Sequence, residues 1–237
     1  MNTRMPPFND PRARRAVALA INRQEYIQII GRGAGTPIGP ITSAMRPYAL
    51  PQNELDKLLV FNATEARQLF AAVGLKELPF THPTSGVTND YVNILVRQLQ
   101  AAGVTGKPEP LDPQAWNQSL AANRPSASQA TPPEFTDPDF ALNAYVTGGP
   151  LKSNRSDTGI SDPEIDAAQK KAAGTMNEQE RVKAYHDAQR LILSKDPPWL
   201  PYYAPVSNTL RQSYVRGVPN GLGNLTSAFG KDFWLNK

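Results

Sequence analysis

Cysteine is absent from the 237 residues, so neither a disulfide framework nor a thiolate metal site can form, and the redox compartment stays open. Histidine is nearly absent: His82 and His186 lie far apart and no H-E-x-x-H arrangement occurs, which removes the usual helical zinc-hydrolase pattern. There is no G-x-S-x-G, and no serine is followed three residues later by lysine, so two common serine-nucleophile patterns are missing. No apolar run approaches the roughly 18 residues that suggest a membrane-spanning helix, and the first residues carry no apolar signal segment. Internal repeats and low-complexity tracts are lacking too.

What is present is an ordinary globular composition, 40% hydrophobic and 19% charged, with 23 prolines, about twice average usage. Many connections should therefore be stiff and non-helical. The formal charge is +4. Residues 1–32 carry six arginines against Asp10 and Glu25, which accounts for the whole excess and leaves the remainder balanced. A nucleic-acid surface would show a basic stripe interleaved with aromatic contacts; here the excess sits on one helix pair, which argues against nucleic acid as a partner.

Residues 6–30, PPFNDPRARRAVALAINRQEYIQII, organise the chain. Asp10 is an N-cap and Pro11 suits the first helical position, so a helix begins at Pro11 with Val17, Ala20 and Ile21 on one face. Arg12, Arg14 and Arg15 in its first turns oppose the helix dipole and need acidic partners or water. Asn22 and Glu25 form a second capping pair, so a new helix starts there with Tyr26, Ile27 and Ile30. The glycine-rich stretch 31–40 has neither the spacing nor the flanking strand of a phosphate loop. Residues 41–60 read as irregular. Asn62 to Gly74 reads as a capped helix with Ala66, Leu69, Phe70 and Val73 inward. A strand over Leu78–His82, a helix over Asn89–Ala102 and a strand over Val104–Leu111 form a βα unit feeding a further strand. A short helix follows Asp112. Residues 121–134 hold neither alternation nor an apolar run, so a strand there is lost or very short. Ser161 and Asn177 open two more helices, the second with Val182, Tyr185, Ala188, Leu191 and Ile192 inward. The proline-rich run 197–206 is predicted to cross as an extended edge.

The segment PPFNDPRARRAVALAINRQEYI closely resembles one found in the family 5 extracellular solute-binding proteins, the peptide- and nickel-binding receptors of bacterial ABC importers. Further similarities lie at 62–74, at Glu134–Asp139, in the two helices after Ser161, and at Val215–Val218, which resembles the family's return into its first lobe. The resemblance implies an α/β fold: the second lobe of a periplasmic-binding-protein-like (type II, dipeptide-binding-protein-like) receptor, with return strands to a first lobe. It implies a hinge-side linker over 1–10, the second lobe over 11–200 and a return segment over 201–237. In that family the opening segment is internal, so the chain is expected to be the carboxy-terminal part of a longer receptor. That receptor would be periplasmic or extracellular, held at the membrane through an amino-terminal segment. The implied partners are a small solute or peptide and the permease subunits of the importer; no cofactor, metal, covalent chemistry or membrane insertion of this segment is expected.

Four residues are candidates for ligand contact. Glu134, three residues before Asp137-Pro138-Asp139, occupies the position where peptide-binding relatives hold the ligand's ammonium with an aspartate. The physical logic is that a buried ammonium needs a carboxylate partner. Phe135 is its neighbour. Ser85 stands at a helix entry, where carboxylates are attracted. His82, at a strand end, can line a cleft or be an ordinary loop histidine. Glu134, Asp137 and Asp139 can alternatively serve as paired carboxylates of a hydrolase or metal-dependent enzyme, or Asp137 and Asp139 can simply cap a proline-braced turn. His186, beside Asp187, reads as a surface residue, and Trp199, Tyr202 and Tyr203 as packing rather than a sugar platform.

Overall fold

Asp10 opens the first helix in the manner its position predicts: its carboxylate accepts the Arg12 N–H at 2.8 Å, and α1 runs Pro11–Ala20. The computed structural model describes residues 1–84, 86–122, 127, 137–148, 158–206, 212–216 and 234–235. The arginines that oppose the α1 dipole find acceptors. Arg12 pairs with Asp10 at 2.7 Å, Arg15 lies 3.7 Å from the Asp196 carboxylate, and Arg14 donates to the carbonyls of Asp196 and Phe8, each at 2.8 Å. Helix α2 (Arg23–Ile29) starts at the Asn22 cap, whose side chain accepts the Glu25 N–H.

Strand β1 (Gly35–Pro37) follows. The stretch expected to be irregular holds a 3-10 turn at Ser43–Met45 and a helix, α3 (Gln52–Leu58). This helix has no side-chain cap: Pro51 precedes it, and Leu55, buried beside Leu50 and Leu193, holds it in place. Tertiary burial, invisible in local spacing, makes that helix. Helix α4 (Ala63–Ala72) is capped by Asn62 and ends at Gly74, where φ is +70° and the Leu75 N–H reaches back to the Phe70 carbonyl at 2.9 Å.

Next comes the unit that shapes the site. Strand β2 (Glu77–Pro83), helix α5 (Gly86–Ala101) and strand β3 (Thr105–Leu111) form a parallel βαβ unit, in register from Glu77 opposite Thr105 to Pro83 opposite Leu111. Pro108 and Pro110 lack the N–H that a second neighbour would need, which suits β3 to an edge. On the other side of β2, the Thr81 N–H donates to the Ala127 carbonyl at 3.1 Å. Ala127 is the one described residue of 123–134, and it belongs to no strand.

Helix α6 (Pro113–Ala121) is capped by Asp112 and buries Trp116. Helix α7 (Pro138–Leu142) runs into a 3-10 turn, Asn143–Tyr145. Helix α8 (Pro163–Gly174) begins one residue later than its Ser161 signal suggested. Asp162 is the cap, because its carboxylate reaches the N–H groups of both Glu164 and Ile165 and also pairs with Lys195 at 2.8 Å. The Lys195 bond holds the Asp162 carboxyl below its ordinary range. Helix α9 (Glu178–Ser194) is capped by Asn177. Strand β4 (Tyr203–Pro205) ends the extended run.

Residues 1–204 make one unit with two main cores. The first joins α1, α2, α4, β2 and α5 around Phe8, Leu19, Tyr26, Phe70 and Leu99. The second joins α7, α8 and α9 around Ile41, Leu142, Tyr145, Ile165 and Tyr185. Residues 205–237 form a second unit, in which β5 (Val215–Arg216) pairs antiparallel with β6 (Trp234–Leu235).

Candidate functional site at the carboxyl edge of the parallel strands

Parallel strands deliver their carboxyl ends to one edge, and in open α/β sheets ligands bind there. In this chain β2 ends at His82-Pro83 and β3 at Pro110-Leu111, and α5 begins directly beyond β2 at Gly86. The Thr84 N–H closes the edge by donating to the Leu111 carbonyl at 2.9 Å. Helix α6, entered straight from β3, packs on both strands and seats Trp116.

His82 belongs to this edge. It is the penultimate residue of β2, 3% exposed, with Nδ1 3.3 Å from the carbonyl of Pro83. It is therefore a buried strand residue rather than a loop histidine. Ser85, Glu134 and Phe135 lie outside the described residues; the neighbours of Ser85, Thr84 and Gly86, lie at this edge.

The two aspartates that follow Glu134 are both engaged. Asp137 caps α7 by accepting the Asp139 N–H at 2.8 Å, and Asp139 accepts the side-chain amide of Gln169 from α8. Among the described residues no group of three or more His, Asp or Glu side chains is placed to hold a metal ion. The capped-turn reading holds for Asp137; Asp139 differs, because its carboxylate joins α7 to α8 through Gln169 instead of capping backbone N–H groups.

Other positions show packing. His186 is half-buried, with Nε2 3.0 Å from the Pro47 carbonyl, so it braces a loop as well as facing water. Tyr202 stacks on Tyr26 with ring centres 4.7 Å apart and planes 9° apart, and Tyr91 extends the stack to Tyr203. Burial pushes the Tyr202 phenol up to about 12. The stripe Trp199, Tyr202, Tyr203 is thus built into the two cores, not displayed as a platform.

Two contacts near the acidic turn escaped sequence reasoning. Gln169 reaches Asp139 across 30 residues, which no local spacing reveals. Arg181 lies 5.6 Å from the ring centres of both Tyr48 and Tyr185, and Tyr48 donates its hydroxyl to Glu178 at 2.9 Å. The one available clue was that Arg181 and Tyr185 stand one helical turn apart.

The family model "Bacterial extracellular solute-binding proteins, family 5 Middle" matches residues 1–153. The chain is 26% identical over 229 residues to "Probable di/tripeptide-binding protein 5" of Pseudomonas aeruginosa, covering 92% of this chain and 42% of that protein. It is 27% identical over 240 residues to "Probable ABC transporter periplasmic-binding protein SapA" of Escherichia coli, covering 97% and 42%. The chain thus spans well under half the length of the curated relatives it matches. Among solved structures, the Helicobacter pylori periplasmic binding protein DppA in complex with the peptide STSA superposes with a TM-score of 0.80 at 21% identity, over 100% of this chain and 46% of that one.

Proposed function

The chain belongs to family 5 of the bacterial extracellular solute-binding proteins, and from that premise we propose that it forms one wall of a solute-capturing cleft, the solute being a peptide. In this reading residues 11–200 are the second α/β lobe of a two-lobed receptor, 1–10 its hinge-side linker and 201–237 its return toward the first lobe. The receptor works outside the cytoplasmic membrane and passes its cargo to ABC permease subunits, without covalent chemistry. The observation that carries the reading is the family match over 1–153 together with a fold that superposes on a peptide-bound receptor. The naming of the Pseudomonas relative after di- and tripeptides supports the choice of peptide.

Physically, the β2–β3 edge and the α5 start supply backbone groups to an extended peptide, and Glu134 supplies the carboxylate for its ammonium end. Ser85 and Phe135 are proposed as further contacts of the same ligand, with His82 buried beneath the edge. The hydrolase alternative has little to work with, because the Asp137 carboxylate caps α7 and the Asp139 carboxylate accepts the Gln169 amide from α8.

The test is charge-specific. Amide NMR spectra of the chain are followed as a free-amine tripeptide, and separately its N-acetyl analogue, are added at millimolar concentration. The free amine should perturb the spectrum more strongly, and Glu134→Gln should erase the difference. Equal responses in the unaltered chain would remove Glu134 from the reading.

A further inference from the structure

The arginine excess of residues 1–32 is not used at the β2–β3 edge, and three of the six arginines find partners close to α1. Arg12 has Asp10, while Arg14 and Arg15 both turn to Asp196. Arg23 is different. It is 5% exposed, its Nε donates to the Pro201 carbonyl at 3.0 Å, and its Nη1 is buried with no hydrogen-bond partner. Burial pushes its pKa down to about 10, and the groups that pull it back are the tyrosines 202, 26 and 145, not a carboxylate. A guanidinium stays charged at neutral pH even so, which leaves a buried cation without a counter-charge.

Arg23 also lines a cavity of about 20 Å³ between α1, the 58–60 segment and the 193–201 segment. Leu59, Leu193 and Leu200 form apolar parts of its wall, and its charged lining residues are Arg15, Arg23 and Asp196. Asp196 is already occupied by Arg15 through its carboxylate and by Arg14 through its carbonyl. The lining therefore keeps a positive excess, in a small space whose rim opens to solvent at the exposed Val60. A water there would leave the charge uncompensated, whereas a small anion supplies the missing counter-charge.

We propose that this cavity binds one small monovalent anion of halide size against the Arg23 guanidinium. The site is separate from the solute cleft and does not depend on that reading. The anion acts as a structural counter-ion that ties α1 and α2 to the 196–201 segment.

The test compares thermal unfolding of the 237-residue chain in sodium chloride and in sodium gluconate at equal ionic strength. Chloride should raise Tm by about 2 °C or more over gluconate, with a saturating dose dependence. Arg23→Met should lose that difference, and Arg12→Gln, which removes a surface cation already paired, should keep it. Crystals grown with bromide in place of chloride should show an anomalous peak beside the Arg23 guanidinium. Equal Tm values in the two salts, a chloride effect that survives in Arg23→Met, or no bromide beside Arg23 each overturn the proposal. If Arg23→Met does not fold, the salt difference of the unaltered chain and the bromide position decide it.

Discussion

The side-chain amide of Gln98 reads both backbone groups of Asn22: Oε1 accepts its N–H at 3.2 Å and Nε2 donates to its carbonyl at 3.1 Å. The same Nε2 reaches Glu25 at 2.6 Å, so one residue of α5 fastens the junction at which α1 ends and α2 begins. Gln98→Ala leaves the half-buried Asn22 groups without those partners and should cost about 1–2 kcal/mol. Urea unfolding checks this against Gln100→Ala, an exposed change on the same helix, which should stay within about 0.5 kcal/mol.

Gln189 plays the corresponding part in the second core. It is fully buried, donates to the carbonyls of Tyr48 at 2.8 Å and Tyr185 at 3.1 Å, and accepts the Ile41 N–H at 3.3 Å. Gln189→Leu keeps the bulk and strands the loop groups, so a loss of about 2–3 kcal/mol is expected in the same assay. Arg190→Ala removes a half-exposed pair with Glu54 and should cost under about 1 kcal/mol.

These two glutamines also show what was and was not legible. Side-chain caps could be read directly, because Asp10, Asn22, Asn62 and Asn177 each act within three residues of themselves. The βαβ order was legible from its alternating periods and its terminal glycine. Helix α3 was not, since Pro51 offers no side-chain cap and the helix is held by Leu55. Gln98 and Gln189 were invisible because their partners lie 76 and 148 residues away. Of the site, the strand end at His82 was readable, but its burial depends on what packs over the edge. Glu134 rested on a family resemblance alone.

Stability should depend on pH through the amino terminus. The Met1 amine of the 237-residue chain is buried and donates to the Pro198 carbonyl at 2.8 Å; burial, and then the charge of Arg14, lower its pKa from 8.0 to about 5. Between those values the unfolded chain holds the proton and the folded chain does not, so stability rises with pH across that window. Below about 5 both states are protonated and above about 8 neither is, and the contribution is flat at each end. The interval corresponds to about 4 kcal/mol as an order of magnitude. Denaturation midpoints from pH 5 to 8 check this, and Nα-acetylation should flatten the rise.

The acidic turn gives a test against the enzymatic alternative. Asp137→Ala removes the α7 cap and should cost about 1 kcal/mol, while Asp137→Asn, which still caps, should cost much less. Peptide and ester hydrolysis assays on the same proteins should show no activity to lose. Turnover in the unaltered chain that disappears in an Asp137→Ala, Asp139→Ala double variant would restore the alternative.

A single wall should bind weakly. Calorimetry of the chain against mixed dipeptides and tripeptides should give no micromolar signal, because the opposing contacts of a closed cleft are not supplied.

The most direct measurement of the central claim is where a peptide touches. Amide NMR mapping with a millimolar free-amine tripeptide should place the largest shifts at residues 81–88 and 134–139. Shifts that cluster instead on α8 and α9 or along the Arg23 cavity, with the β2–β3 edge silent, would contradict the cleft-wall account.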